Sequence, residues 1–73
     1  MNYIMLNTHS TDGETYTKGV TNAYNTKDLA MTAAYQQCKD YMDAISNGSI
    51  KAWCVSVLTP NDHKRVFTQT HQG

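Results

Sequence analysis

Seventy-three residues with six Lys plus Arg balanced against six Asp plus Glu make one small neutral domain, near the lower size limit for a core without staples. That balance excludes a strongly electrostatic nucleic-acid binder, whose affinity comes from neutralising phosphates, and equally an acidic nucleic-acid mimic. Only 16% of residues are charged while Thr, Asn, Gln and Ser are abundant, so the surface repels little and favours self-association or a specific partner.

The N-terminal MNYIMLNTHS has no basic leader and too short an apolar run for a signal peptide, and no run approaches membrane-spanning length. A cytoplasmic location, with reduced thiols and no membrane partner, is the expectation. Tyr3 to Thr8 reads as a strand, with Ile4, Leu6 and Thr8 on one side and Tyr3, Met5 and Asn7 on the other. Asp12-Gly13 then signals a turn, because Gly accepts positive φ. Glu14 to Thr21 is rich in Thr and Tyr, as a half-exposed strand would be, and Gly19 marks a bulge or a close backbone approach within it.

Asn25 to Gly48 carries both ends of a helix. Asn25, or Thr26 beside it, is the N-cap, Asp28 can reach back to the cap, and Tyr24 and Leu29 stand at staple positions. Gly48 offers the left-handed residue that terminates a helix. Ala30, Ala34, Cys38, Tyr41 and Ile45 recur at three- and four-residue steps, which gives one dry face. Thr32, Gln36, Lys39, Asp40 and Asp43 fall opposite.

The period then returns to two. Ile50 to Thr59 is the strongest strand, with Ile50, Ala52, Cys54 and Leu58 on one face and Trp53, Val55 and Val57 on the other. Both faces are apolar, as in an interior strand. Pro60-Asn61-Asp62 supplies a turn, Arg65 to Thr70 a last strand, and His71-Gln72-Gly73 a frayed end. The predicted fold is therefore α+β in the order ββαββ: one four-stranded antiparallel sheet in a single domain, residues 1–73, with the helix on one face. With the first and third strands at the centre, the helical crossover makes them antiparallel neighbours.

No pattern of residues carries catalysis. His9, His63 and His71 sit by turns or the terminus, without the convergent spacing of a zinc site, and no cofactor or metal is implied. Cys38 and Cys54 read as small packed hydrophobes, although a bridge between helix and sheet would form in an oxidising compartment. Asp40 with Asp43, and Asp12 with Glu14, read as solvated surface pairs. There is no nucleophile elbow and no phosphate-cradling glycine loop, so the chain reads as a non-enzyme.

The seven aromatics point instead to binding. With Ile50, Ala52, Cys54 and Leu58 turned to the helix, Trp53, Val55 and Val57 go to the open face of the sheet, joined by Tyr3 and Met5, and form a partner-binding patch anchored by Trp53. The opposite parity puts Trp53 beneath the helix and leaves small residues on the open face. Sheet aromatics can also stack single-stranded bases, but only Lys18, Lys51, Lys64 and Arg65 would supply a basic surround.

The DG turn at Asp12-Gly13, the Asn25–Gly48 helix and the WCVSVLTPND strand and turn together resemble, in size and layout, small bacteriophage and prophage proteins that bind and disable a host enzyme or defence complex. The resemblance implies a stoichiometric inhibitor of a bacterial protein. The competing expectations are a nucleic-acid-associated accessory protein using the sheet face, and a homodimer that buries its open face against itself.

Overall fold

The computed structural model describes residues 2–19 and 21–72. They form an α+β unit with strands β1 (Tyr3–Ser10), β2 (Thr17–Lys18) and β3 (Asn22–Tyr24), helix α1 (Lys27–Ser46), and strands β4 (Ala52–Leu58) and β5 (Arg65–Gln72). All pairings are antiparallel. The sheet runs β2-β1-β4-β5, and β3 also pairs with β1, further along the same edge as β2. The first and third strands of the prediction, β1 and β4, are thus central neighbours, as the helical crossover requires.

Of the predicted second strand, Glu14–Thr21, only Thr17–Lys18 is strand among the described residues, and a further short strand, Asn22–Tyr24, lies beyond its predicted end. Thr17–Lys18 pairs with Thr8 and His9, and Asn22–Tyr24 pairs with Tyr3, Ile4 and Met5. Val20 of that prediction lies outside the described residues. Gly19 explains the break. Its N–H donates to the Asn7 carbonyl at 2.8 Å, and a Cβ placed on it would lie 1.6 Å from Asn7 Oδ1. Only glycine lets the chain pass so close to the Asn7 side chain.

Before β2, the Asp12-Gly13 turn is built as its residues suggest. Gly13 has φ 83°, and the Asp12 carboxylate accepts from Ser10 Oγ at 2.9 Å and from the Glu14 and Thr15 N–H groups at 2.8 Å each. These three bonds hold the Asp12 carboxyl down at about 2.

The helix begins one residue later than Asn25 allows. Thr26 is the cap, in extended conformation, and its Oγ1 accepts from Leu29 N at 3.2 Å. Leu29 is 54% exposed, so it makes no staple with Tyr24. Asn47 and Gly48 close the other end, with φ 81° at Gly48. Ala30, Ala34 and Cys38 are buried and Tyr41 and Ile45 half-buried, which confirms the dry face.

That face packs on β1 and β4, and the parity of β4 is the reverse of the one expected. Trp53, Val55 and Val57 face the helix at 1% exposure or less, with Met5 beside them and Tyr3 packed against the cluster. Ile4 and Leu6, expected inward, alternate to the other side. The reason is volume. An alanine stripe brings the helix close to the sheet but fills little space, so the sheet must supply the bulk. Trp53, Val55 and Val57 do so, and Ala52, Cys54 and Ser56 cannot. Ile50 is buried although its parity is that of Ala52, because it precedes β4 and its N–H still bonds the Ala44 carbonyl of the helix.

The last strand runs two residues beyond Thr70. His71 pairs with Trp53 and Gln72 with Ala52, so neither belongs to a frayed end; Gly73 lies outside the described residues. At the other end of β5 the register slips between Val57 and Leu58, and Val66 is the extra residue. The β4–β5 turn is held by Thr59 N–H to the Lys64 carbonyl at 2.9 Å, by Lys64 N–H to Thr59 Oγ1 at 3.1 Å, and by the Thr59 hydroxyl to Asp62.

Candidate functional site

Two arrangements on the sheet concentrate chemistry or exposed apolar surface. The first lies beneath the C-terminal half of the helix. His9, Trp53 and His71 stand side by side on β1, β4 and β5, and Tyr41 covers them from the helix. The Tyr41 ring is 5.9 Å from Trp53 and 5.7 Å from His9, and His71 stacks on Trp53 at 6.5 Å with 11° between the planes. The Tyr41 hydroxyl donates to Asn7 Oδ1 at 2.8 Å and lies 3.4 Å from His9 Nδ1. Burial pushes the Tyr41 phenol above its ordinary value. The Trp53 indole N–H is buried and pairs with no acceptor among the described residues.

This cluster brings Trp53, two histidines, a tyrosine and an asparagine together, and of the five only Tyr41, on the dry face of the helix, was placed toward the helix–sheet interior by the reading of the sequence that favoured an open-face Trp53. The alternation of β1 and β4 carried the information, since His9 and Trp53 share a face once Trp53 is turned inward. The arrangement holds the helix to the sheet. No group of three or more His, Cys, Asp or Glu among the described residues is placed to hold a metal ion. Beyond Tyr41, a shallow groove of about 420 Å³ opens between Ile45, Gly48, Ile50 and Lys51.

The second arrangement is the face of the sheet away from the helix. Ile4 pairs with Leu58, Leu6 with Ser56 and Thr8 with Cys54, so their side chains share this face. Ile4, Leu6, Leu58 and Cys54 are half-buried, and Thr8, Ser56, Thr68 and Thr70 surround them with hydroxyls. Ser56 Oγ lies 3.3 Å from Thr68 Oγ1 across the strands. A shallow depression of about 150 Å³ runs between Leu6, Thr8, Cys54, Ser56 and Arg65. Lys18, paired with Thr8, and Arg65, paired with Leu58, mark its two rims.

The two thiols are separated by the sheet. Cys54 is half-buried on this open face, whereas Cys38 is buried under the helix, and both are free. Burial first, and then the proximity of Cys54, raise the Cys38 thiol above its ordinary value.

The five residues expected to form the binding patch are therefore on the wrong side for it. Trp53, Val55, Val57 and Met5 are core, and Tyr3 is half-buried against that core. What the open face presents instead is aliphatic and hydroxyl-bearing, and its sheet positions carry no aromatic ring. No helix among the described residues is long and apolar enough to cross a membrane. No protein-family model matches the chain, and no curated protein or solved structure matches it either.

Proposed function

We propose that this protein is a small non-enzymatic binding module that acts by laying the open face of its sheet on a partner protein. One observation carries the reading: a single helix covers one side of the sheet, and the other side keeps Ile4, Leu6, Leu58 and Cys54 half-exposed at its centre, with charge only at the rims. An apolar centre with a polar, hydroxyl-rich border is the composition of a protein contact surface. Base stacking is disfavoured, because Tyr3, Trp53 and Phe67 all turn to the helix, and Tyr16, whose hydroxyl accepts from Gln72, is a lone ring at one end of the sheet and not a row of them. In its narrower form the proposal is a phage- or prophage-type inhibitor that occupies a bacterial protein in the cytoplasm, and this rests on the likeness of size and layout.

Site-specific photo-crosslinking in bacterial cells tests the reading. A crosslinker at Leu6 or Thr8 should trap one discrete protein band, and the Leu6→Lys variant should lose it while keeping its melting temperature within a few degrees. A crosslinker at Thr32, on the exposed helix surface, should trap nothing comparable. Equal trapping from both positions, or none from Leu6, would show that the open face is not the contact.

A further inference from the structure

The two edges of the sheet are unlike. One is broken into β2 and β3 with Gly19 between them, which leaves little continuous backbone to pair. The other is β5, eight residues long, whose outer side has no neighbour among the described residues. Edge strands are usually blunted by Lys, Pro, bulges or brevity. Beyond Arg65 and the bulge at Val66, the stretch Phe67–Gln72 has none of these.

The ladder fixes which backbone groups point outward. Asn7 accepts from Gly19, so its groups face away from β4, and Leu6 and Thr8 face toward it. Alternation then turns Val55 to Gln69, and leaves Thr68 and Thr70 with their N–H and C=O groups directed off the edge. Gln69 is flanked by identical residues, Thr68 and Thr70, and beyond them by two different ring-bearing residues, Phe67 and His71.

We infer that the β5 edge pairs with β5 of a second copy of this chain, antiparallel and centred on Gln69, to give one continuous sheet across two molecules. Thr68 then exchanges both backbone bonds with Thr70 of the second copy, and the reverse, while Gln69 meets its own counterpart. Phe67 comes opposite His71 on the helix side of the sheet. A two-fold axis normal to the sheet keeps both helices on the same face.

Side chains along the same flank support this occupant. Tyr35 is 56% exposed and packs edge-on against Phe67 at 5.3 Å, Met42 lies two turns further on the same side of the helix at 41%, and Val66 is 39% exposed. These are three of the large apolar residues that the described chain leaves open, and the pairing, with Phe67 opposite His71, turns Tyr35 toward the end of the second copy's helix that carries Met42. The flank is long enough for a weak, concentration-dependent dimer. The overlap centred on Gln69 runs from Val66 to Gln72 and spans about 24 Å, which over the 17 Å short dimension of the molecule gives about 400 Å² per copy and roughly 800 Å² in all. No charged residue between Val66 and Gln72 opposes its counterpart.

This contact uses a different surface from the proposed binding face and leaves that face open, doubled in width. Sedimentation from micromolar to millimolar concentration should show a monomer–dimer equilibrium. Gln69→Lys places like charges directly opposite each other and should abolish the dimer. Gln69 is exposed, so the variant's Trp53 emission should stay that of the folded chain. In a Cys54→Ser background, Gln69→Cys should form a disulfide-linked dimer on mild oxidation, because a directly opposed non-bonded pair has the Cα spacing of a disulfide, whereas Thr32→Cys should not. Three results would overturn the inference: a wild-type monomer at every concentration, which leaves the edge to an extended segment of another protein; a dimer lost with Leu6→Lys but kept with Gln69→Lys, which puts the contact on the open face; or equal crosslinking from both cysteine positions.

Discussion

Trp53 carries most of the weight of the helix-side layer. It is 1% exposed, flanked by His9 and His71 on the neighbouring strands and covered by Tyr41, and only its indole N–H lacks a partner among the described residues. Removing a buried Trp side chain costs about 3–5 kcal/mol through lost transfer energy and the cavity left behind. At roughly 0.05–0.15 kcal/mol per residue, that is a large share of what a domain of this size has. Trp53→Ala is therefore expected to lose cooperative thermal unfolding by circular dichroism. The wild-type protein should show blue-shifted Trp emission that resists acrylamide and shifts to the red on unfolding. A folded Trp53→Ala variant, or an emission already quenched as free indole is, would return Trp53 to the open face. The sequence identified Trp53 as a large apolar residue on a two-sided strand but not its side, since alternation assigns faces and does not say which one the helix takes.

At the scale of elements, the helix was the most legible. Its stripe of Ala30, Ala34 and Cys38 is the buried stripe, and its start moved only from Asn25 to Thr26. Helical periodicity over twenty residues repeats the signal five times, whereas a two-residue period over these strands repeats at most four times. The segment Glu14–Thr21 shows the contrast. Its Thr and Tyr content suggested one strand, but only Thr17–Lys18 of it pairs, ending where Gly19 closes on Asn7, and that contact depends on a residue in another strand. The stripe also makes a direct prediction. Ala34 is fully buried at the centre of the packed face, so Ala34→Asp puts an unpaired charge where ionisation is strongly disfavoured. Lys39 is exposed on the opposite side. Thermal melts should show Ala34→Asp unfolded or destabilised by several kcal/mol, and Lys39→Asp within about 0.5 kcal/mol of wild type. Matching melting curves would mean that the helix packs by another face.

For the whole molecule, the α+β class, the central pair of strands and the single helix followed from the order of periods along the chain, while the choice of buried sheet face did not. That choice is a balance of volumes between two layers: small residues at Ala30 and Ala34 demand large ones beneath, and Trp53, Val55 and Val57 are the large ones available. Set against this apolar interior, the charged contribution to stability comes from the turns at the two ends of the β4 ladder. Asp12 holds the Ser10–Thr15 loop through three hydrogen bonds, and its carboxyl is lowered from 3.8 to about 2, chiefly by the Thr15 and Glu14 N–H groups. Asp62, in the turn between β4 and β5, is lowered chiefly by the Thr59 hydroxyl. A carboxylate depressed in the folded state binds its proton more readily when the chain unfolds, so its stabilisation is complete above the unfolded value near 3.8 and is lost as pH falls toward the folded value. The stabilisation from these two carboxylates should accordingly be complete above about pH 5 and be lost between about pH 4 and pH 2. In Asp12→Asn the amide oxygen can still accept from the loop but carries no charge. Its melting temperature should lie below wild type at neutral pH, and the gap should close as pH falls to about 2. A gap that stays constant across that range would mean that the loop depends on the shape of the Asp12 side chain and not on its charge.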